Sequence, residues 1–124
     1  MAKNNHKLKH FSFIDNIYGI KFHIYIGDLE EYIKKASKQH NLDTSNLYNV
    51  LGASYLDEDK NICVIWLNRL QNGIIDMEYL AHETLHATFD VLTLRGMKLS
   101  DESQEAFTYY QQYLISVILH KNLS

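Results

Sequence analysis

All four strand-like runs of this 124-residue chain fall before Asn72-Gly73, and its two longest helical patterns fall after it. That order limits the fold to helices layered against a small sheet built from the N-terminal half. Within 11–26, Phe, Ile and Tyr alternate with polar residues around Tyr18-Gly19, predicting two short strands and a tight connection. Asp28 is placed to cap a helix whose apolar positions Leu29, Tyr32, Ile33 and Ala36 follow the i, i+3, i+4, i+7 rule, and this pattern ends near His40-Asn41. The runs 50–56 and 62–67 flank Asp57-Glu58-Asp59-Lys60-Asn61 and read as a hairpin whose second strand is the most apolar in the chain. A helix is predicted over 76–95, with Gly96 supplying the left-handed residue that follows many helix C-termini. A last helix starts near Ser100-Asp101 and runs to about His120. The order β-β-α-β-β-α-α defines an α+β fold with an antiparallel or mixed sheet. With no Pro, no repeat and no low-complexity tract, residues 1–124 are expected to form one domain.

Charge and cysteine content narrow the chemistry. The formal net charge is −3, yet residues 1–10 hold Lys3, Lys7 and Lys9 with no acid, so a short basic arm precedes an acidic body. An acidic body argues against nucleic acid as the main ligand. No run approaches the roughly 18 apolar residues of a membrane span, and the N-terminus lacks the apolar core of a secretory signal, so a cytoplasmic protein is expected. A single cysteine, Cys63, excludes an internal disulfide and any multi-cysteine zinc site. Set among Ile62, Val64, Ile65 and Trp66, it reads as a buried strand residue and not as a catalytic thiol.

Any metal must therefore be held by His and carboxylates, and His82-Glu83-Thr84-Leu85-His86 offers such a set. On a helix, residues four apart share a face, so both imidazoles can reach one ion while Glu83 stands beside an open coordination position. The bland alternative is a pair of polar-face histidines with a solvated glutamate. Catalytic zinc usually takes three protein ligands and leaves the fourth position to water. Downstream candidates for the third ligand are Asp90, Asp101, Glu102, Glu105 and His120. Asp90 lies one turn past His86 on the same helix, which suits it to orienting an imidazole, or to being an ordinary surface charge. A helical hairpin turning at Gly96 brings the start of the last helix back toward the motif, so Glu102 and Glu105 both come within reach. His6, His10, His23, His40 and His120 show no ligand spacing and receive no role.

The stretch from His82 to Asp90, followed by Glu105 on a succeeding helix, resembles the gluzincin arrangement of thermolysin-type metallopeptidases: H-E-x-x-H, an aspartate four residues on, and a distal glutamate. The run Glu102-Ser103-Gln104-Glu105-Ala106-Phe107-Thr108-Tyr109 is also similar to a segment of small metallopeptidase-like proteins of phages and prophages. These features cover about a third of the chain. The resemblance implies a minimal zincin-like core with an active-site helix and a glutamate helix. It implies zinc bound by His82, His86 and Glu105, with Glu83 as general base. It further implies that strand 62–67 is an edge along which an extended peptide binds, Trp66 favouring a hydrophobic side chain in the substrate. A segment lying inside the sheet, bonded on both sides, would remove that docking surface and leave a metal-binding domain. No second domain and no distal His for the oxyanion are evident. Tyr109 or Tyr110 can offer an O–H donor, Tyr109 standing one turn after Glu105, although Tyr109, Tyr110 and Tyr113 suit core or interface aromatics better.

The expected reaction is hydrolysis of a peptide or protein substrate. Zinc lowers the pKa of its water toward about 7, and Glu83 takes the water's proton and passes it to the leaving amine. The competing expectation keeps the zinc without turnover: a metal-stabilised binding protein whose edge strand captures a partner segment.

Overall fold

Alternation along β2 sorts the molecule into two faces. The computed structural model describes residues 7–70 and 74–123. In it β1 (Lys9–Ile14), β2 (Lys21–Ile26), α1 (Leu29–His40), β3 (Gly52–Asp57), β4 (Ile62–Leu67), α2 (Ile74–Leu94) and α3 (Gln104–Asn122) follow in chain order. Phe22, Ile24 and Ile26 of β2 join Cys63, Ile65 and Leu67 of β4 in the main core, against Leu80, Ala87, Val91 and Leu92 of α2 and Phe107, Tyr110, Leu114 and Ile118 of α3. The alternate residues Tyr25, Val64 and Trp66 face the other way and form a smaller core with Tyr32 and Ala36 of α1. The sheet is thus covered on one face by α1 and on the other by α2 and α3, an α+β architecture with a mixed sheet.

The strand order is β1-β2-β4-β3. β1 pairs antiparallel with β2, β2 parallel with β4, and β3 antiparallel with β4. The expectation that 62–67 is an edge strand is therefore wrong. β4 is hydrogen-bonded on both sides, and Cys63 to Leu67 are all buried. Its unbroken apolar run is what a strand covered on both faces requires. Trp66 is likewise not a cleft residue: it is 1% exposed, stacks on Tyr32 at 5.4 Å and donates its indole N–H to the Gly27 carbonyl at 2.9 Å. The strand that ends the sheet beside α2 is β3.

Local signals hold at the helix ends. The Asp28 carboxylate accepts from the N–H groups of Glu30 and Glu31, and Asn41 closes α1 in the left-handed region at φ 53°. At the end of α2, Gly96 takes φ +85°, its N–H reaches the Thr93 carbonyl and the Met97 N–H reaches the Leu92 carbonyl. This double closure is a Schellman motif, and an added Cβ at Gly96 would meet nothing within 4 Å, so the backbone angle alone calls for glycine. α3 begins at Gln104, later than expected. Ser100 still caps the approach, its hydroxyl accepting from Glu102 and Ser103 N–H groups, which leaves Glu102 on the turn before the helix.

One further expectation needs adjusting. Lys9 and His10, counted with the basic N-terminal stretch, belong to β1, and Lys9 donates to the Asn122 carbonyl at 2.5 Å; Lys3 and His6 lie outside the described residues, as does the break at Asn72-Gly73. Among the described residues, no helix is long and apolar enough to cross a membrane.

Candidate metal centre

α2 carries the H-E-x-x-H motif at its middle, and its rotation about the helix axis is set by burial. Leu80, Ala87 and Val91 enter the main core, while Thr84 and Thr88, also buried, satisfy their hydroxyls by donating to the carbonyls of Leu80 and Thr84, both at 2.8 Å. This leaves His82 and His86 on the exposed side and Glu83 at the margin, 5% exposed. The two histidines converge. Their Nε2 atoms are 3.2 Å apart, with ring centroids at 4.8 Å and ring planes 70° apart.

That separation permits an imidazole–imidazole hydrogen bond, one nitrogen donating and one accepting. It also matches two corners of a zinc tetrahedron, since Zn–N bonds of about 2.05 Å place ligand nitrogens about 3.3 Å apart. The donor chemistry of this pair fits zinc. Glu83 sits against β3: a Cβ added to Gly52 would lie 3.0 Å from Glu83 Cγ, 3.1 Å from its Oε2 and 3.2 Å from the Trp66 carbonyl oxygen. Gly52 is thus the position at which the β3 backbone makes room for the glutamate. Burial pushes the Glu83 carboxyl above the usual carboxylate range, and positive charge on His82 and His86 pulls it back.

The remaining candidates are placed unevenly. Partial burial raises the Asp90 carboxyl, His86 pulls it down and Glu58 raises it again, and Asp90 lines a groove with Phe89 and Glu58. The helical hairpin does bring the start of α3 back to α2: the Phe107 ring lies 5.1 Å from that of Phe89, and Gln111 donates to the Ala81 carbonyl at 3.0 Å. Glu105 occupies the first turn of α3 and is exposed. It is not gathered with the histidines; among the described residues, no three His, Cys, Asp or Glu side chains are disposed to hold a metal ion between them.

Tyr109 is 64% exposed. Tyr110 is committed elsewhere, donating to the buried Asp15 carboxylate at 2.5 Å, and burial together with that bond raises its hydroxyl pKa steeply. Tyr113 packs edge-on against Phe13 in the core. Cys63 is fully buried and its thiol is pushed up to about 12 by burial, which makes it inert.

A groove of about 540 Å³ runs between β3 and the C-terminal half of α2. Ser54, Leu56, Glu58, Phe89, Asp90 and Leu94 contribute to its walls, and it opens one helical turn beyond His86. Neither the groove nor Gly52 was identified from sequence. A glycine beginning an apolar run is the faint signal that could have marked close backbone approach. Comparison of the chain with protein-family models, with curated proteins and with solved structures finds no match.

Proposed function

We propose that this chain is a zinc-dependent peptide-bond hydrolase, with His82 and His86 as two ligands, Glu105 as the third and Glu83 as general base. The observation that carries the reading is the 3.2 Å convergence of two imidazole nitrogens on one helical face beside a buried carboxyl of raised pKa. Zinc held there supplies Lewis acidity toward a water and a scissile carbonyl. Glu83 takes the water's proton and delivers it to the leaving amine, a role its raised pKa suits. Neither histidine can serve as base while it is a ligand. Glu105, in the first turn of α3, would be the third ligand, and Tyr109, one turn on, would be the O–H donor to the oxyanion.

With β4 inside the sheet, peptide docking along that strand falls, and with it the support that this strand gave to a peptidase over a metal-binding domain. In the reading proposed here the docking edge is β3 instead. It ends the sheet beside Glu83, and its outer row of N–H and C=O groups can pair with an extended substrate that continues into the groove past His86. The binding-protein reading competes with it, because among the described residues no third donor is gathered at the histidines.

Metal analysis separates these readings. Purified protein is expected to carry about one zinc per chain, and His86→Ala to lose it. Full zinc retention by His86→Ala would sink the ligand assignment, whereas zinc binding without cleavage of an unstructured protein substrate would favour the binding protein.

A further inference from the structure

Three histidines with no ligand spacing in the sequence meet on the α1 face of the sheet. His10 of β1 and His23 of β2 share a bond between His10 Nε2 and His23 Nδ1 at 3.0 Å, and the His23 ring lies 4.6 Å from that of His40 in the last turn of α1. Tyr25 joins them: its ring stacks on His10 at 4.1 Å, and its hydroxyl contacts His40 Nε2 at 2.9 Å and donates to Gln39 Oε1. These contacts tie the end of α1 to β2 and, through His23 and Tyr25, to His10 of β1. The charged groups acting on them are Lys21 of β2, Lys35 of α1 and Lys60 of the β3–β4 turn. The Asp57 carboxylate lines a small cavity with His40 and Lys60.

We propose that His10, His23 and His40 form an acid-sensitive latch that holds α1 on the sheet at neutral pH and releases it as the imidazoles gain protons. The His10–His23 bond needs one bare nitrogen as acceptor. When both rings are protonated, two N–H groups point at each other and this β1–β2 bond is lost, and the charge on His23 then faces His40 of α1, whose ring is 4.6 Å away. Each added charge repels the neighbouring imidazolium and the three ammonium groups, which pushes the end of α1 off the sheet.

The direction of the response follows from linkage. Burial first, then the neighbouring histidines and lysines, holds all three below the ordinary 6.5, His23 down to about 4. Between those values the unfolded or undocked chain binds protons more readily than the docked one. Stability is therefore complete above 6.5 and declines as pH falls toward 4. α1 is the element positioned to yield, because it rests on the smaller of the two cores.

Trp66, the one tryptophan of the chain, is stacked on Tyr32 of α1 and so reports on docking. The test follows Trp66 emission and amide exchange of the full chain from neutral pH down to about 4, in wild type and in His23→Gln. In wild type the emission is expected to shift to the red, with α1 amides exchanging before those of α2. His23→Gln is expected to move the transition about one pH unit lower or abolish it. Unchanged wild-type emission, simultaneous opening of α1 and α2, or identical behaviour of the variant would each overturn the latch. If His23→Gln does not fold, the wild-type ring resonances decide: midpoints below 6.5 for His10 and His23 support it, and midpoints at or above 6.5 refute it.

Discussion

Two histidine groups in this protein have nearly the same closest contact and opposite surroundings. His82 and His86 stand at 3.2 Å with carboxylates beside them, Glu83 at the margin of the core and Asp90 a turn further on. His10 and His23 stand at 3.0 Å with Lys21 and Lys35 acting on them, and Lys60 and Asp57 lie beside their neighbour His40. A carboxylate neighbourhood attracts a cation to the shared nitrogens, and an ammonium neighbourhood repels one. In the roles proposed above, the first contact belongs to a metal site and the second to a proton-sensitive joint.

The sharpest way to break this contrast is at Glu83. Glu83→Gln keeps the shape and removes the base, so hydrolysis is expected to fall by about 10²- to 10⁴-fold while zinc content persists, as read by peptide-cleavage rate and metal analysis on the same sample. Unchanged cleavage would exclude Glu83 from proton transfer.

Zinc itself provides the next test. At free zinc about 100 times its Kd, a site present only in the folded chain raises stability by about 2.7 kcal/mol, visible as a higher melting temperature. Glu105→Ala should erase much of that increment, Glu102→Ala little of it, and His23→Gln none. A reversal of the two glutamates would mean that the turn before α3, not its first turn, approaches the histidines.

Gly52→Ala carries a smaller expected effect. The added methyl would crowd Glu83 and the β4 backbone, so denaturant unfolding should report a loss of about 1–3 kcal/mol. Glu83→Ala in the Gly52→Ala background should recover part of it by vacating the space. No recovery would place the strain at the Trp66 carbonyl and detach Gly52 from the site.

Much of this architecture was legible because it depends on neighbours in the chain. Helix α1 announced itself through its apolar spacing, Asp28 and Asn41, and α2 through Gly96, because a cap or a left-handed closure is made by residues within a turn of each other. The pairing of His82 with His86 was legible for the same reason: four residues on a helix guarantee a shared face. The start of α3 was less so, since Ser100, Asp101 and Ser103 all offer capping side chains and the geometry selects among them.

The position of β4 shows where local reading stopped. Its continuous apolar run over 62–67 does not by itself tell an edge strand from an interior one, and the parallel partner that places it inside the sheet is β2, about 40 residues earlier in the chain. No spacing rule connects His10, His23 and His40, or Gly52 and Glu83, for the same reason. The sequence by itself determined the elements, their caps and the two imidazoles that i, i+4 geometry forces together. Only the tertiary structure decided which strand is the edge, which face α1 covers and which histidines meet, because burying both faces of a four-stranded sheet joins residues whose separation along the chain carries no signal.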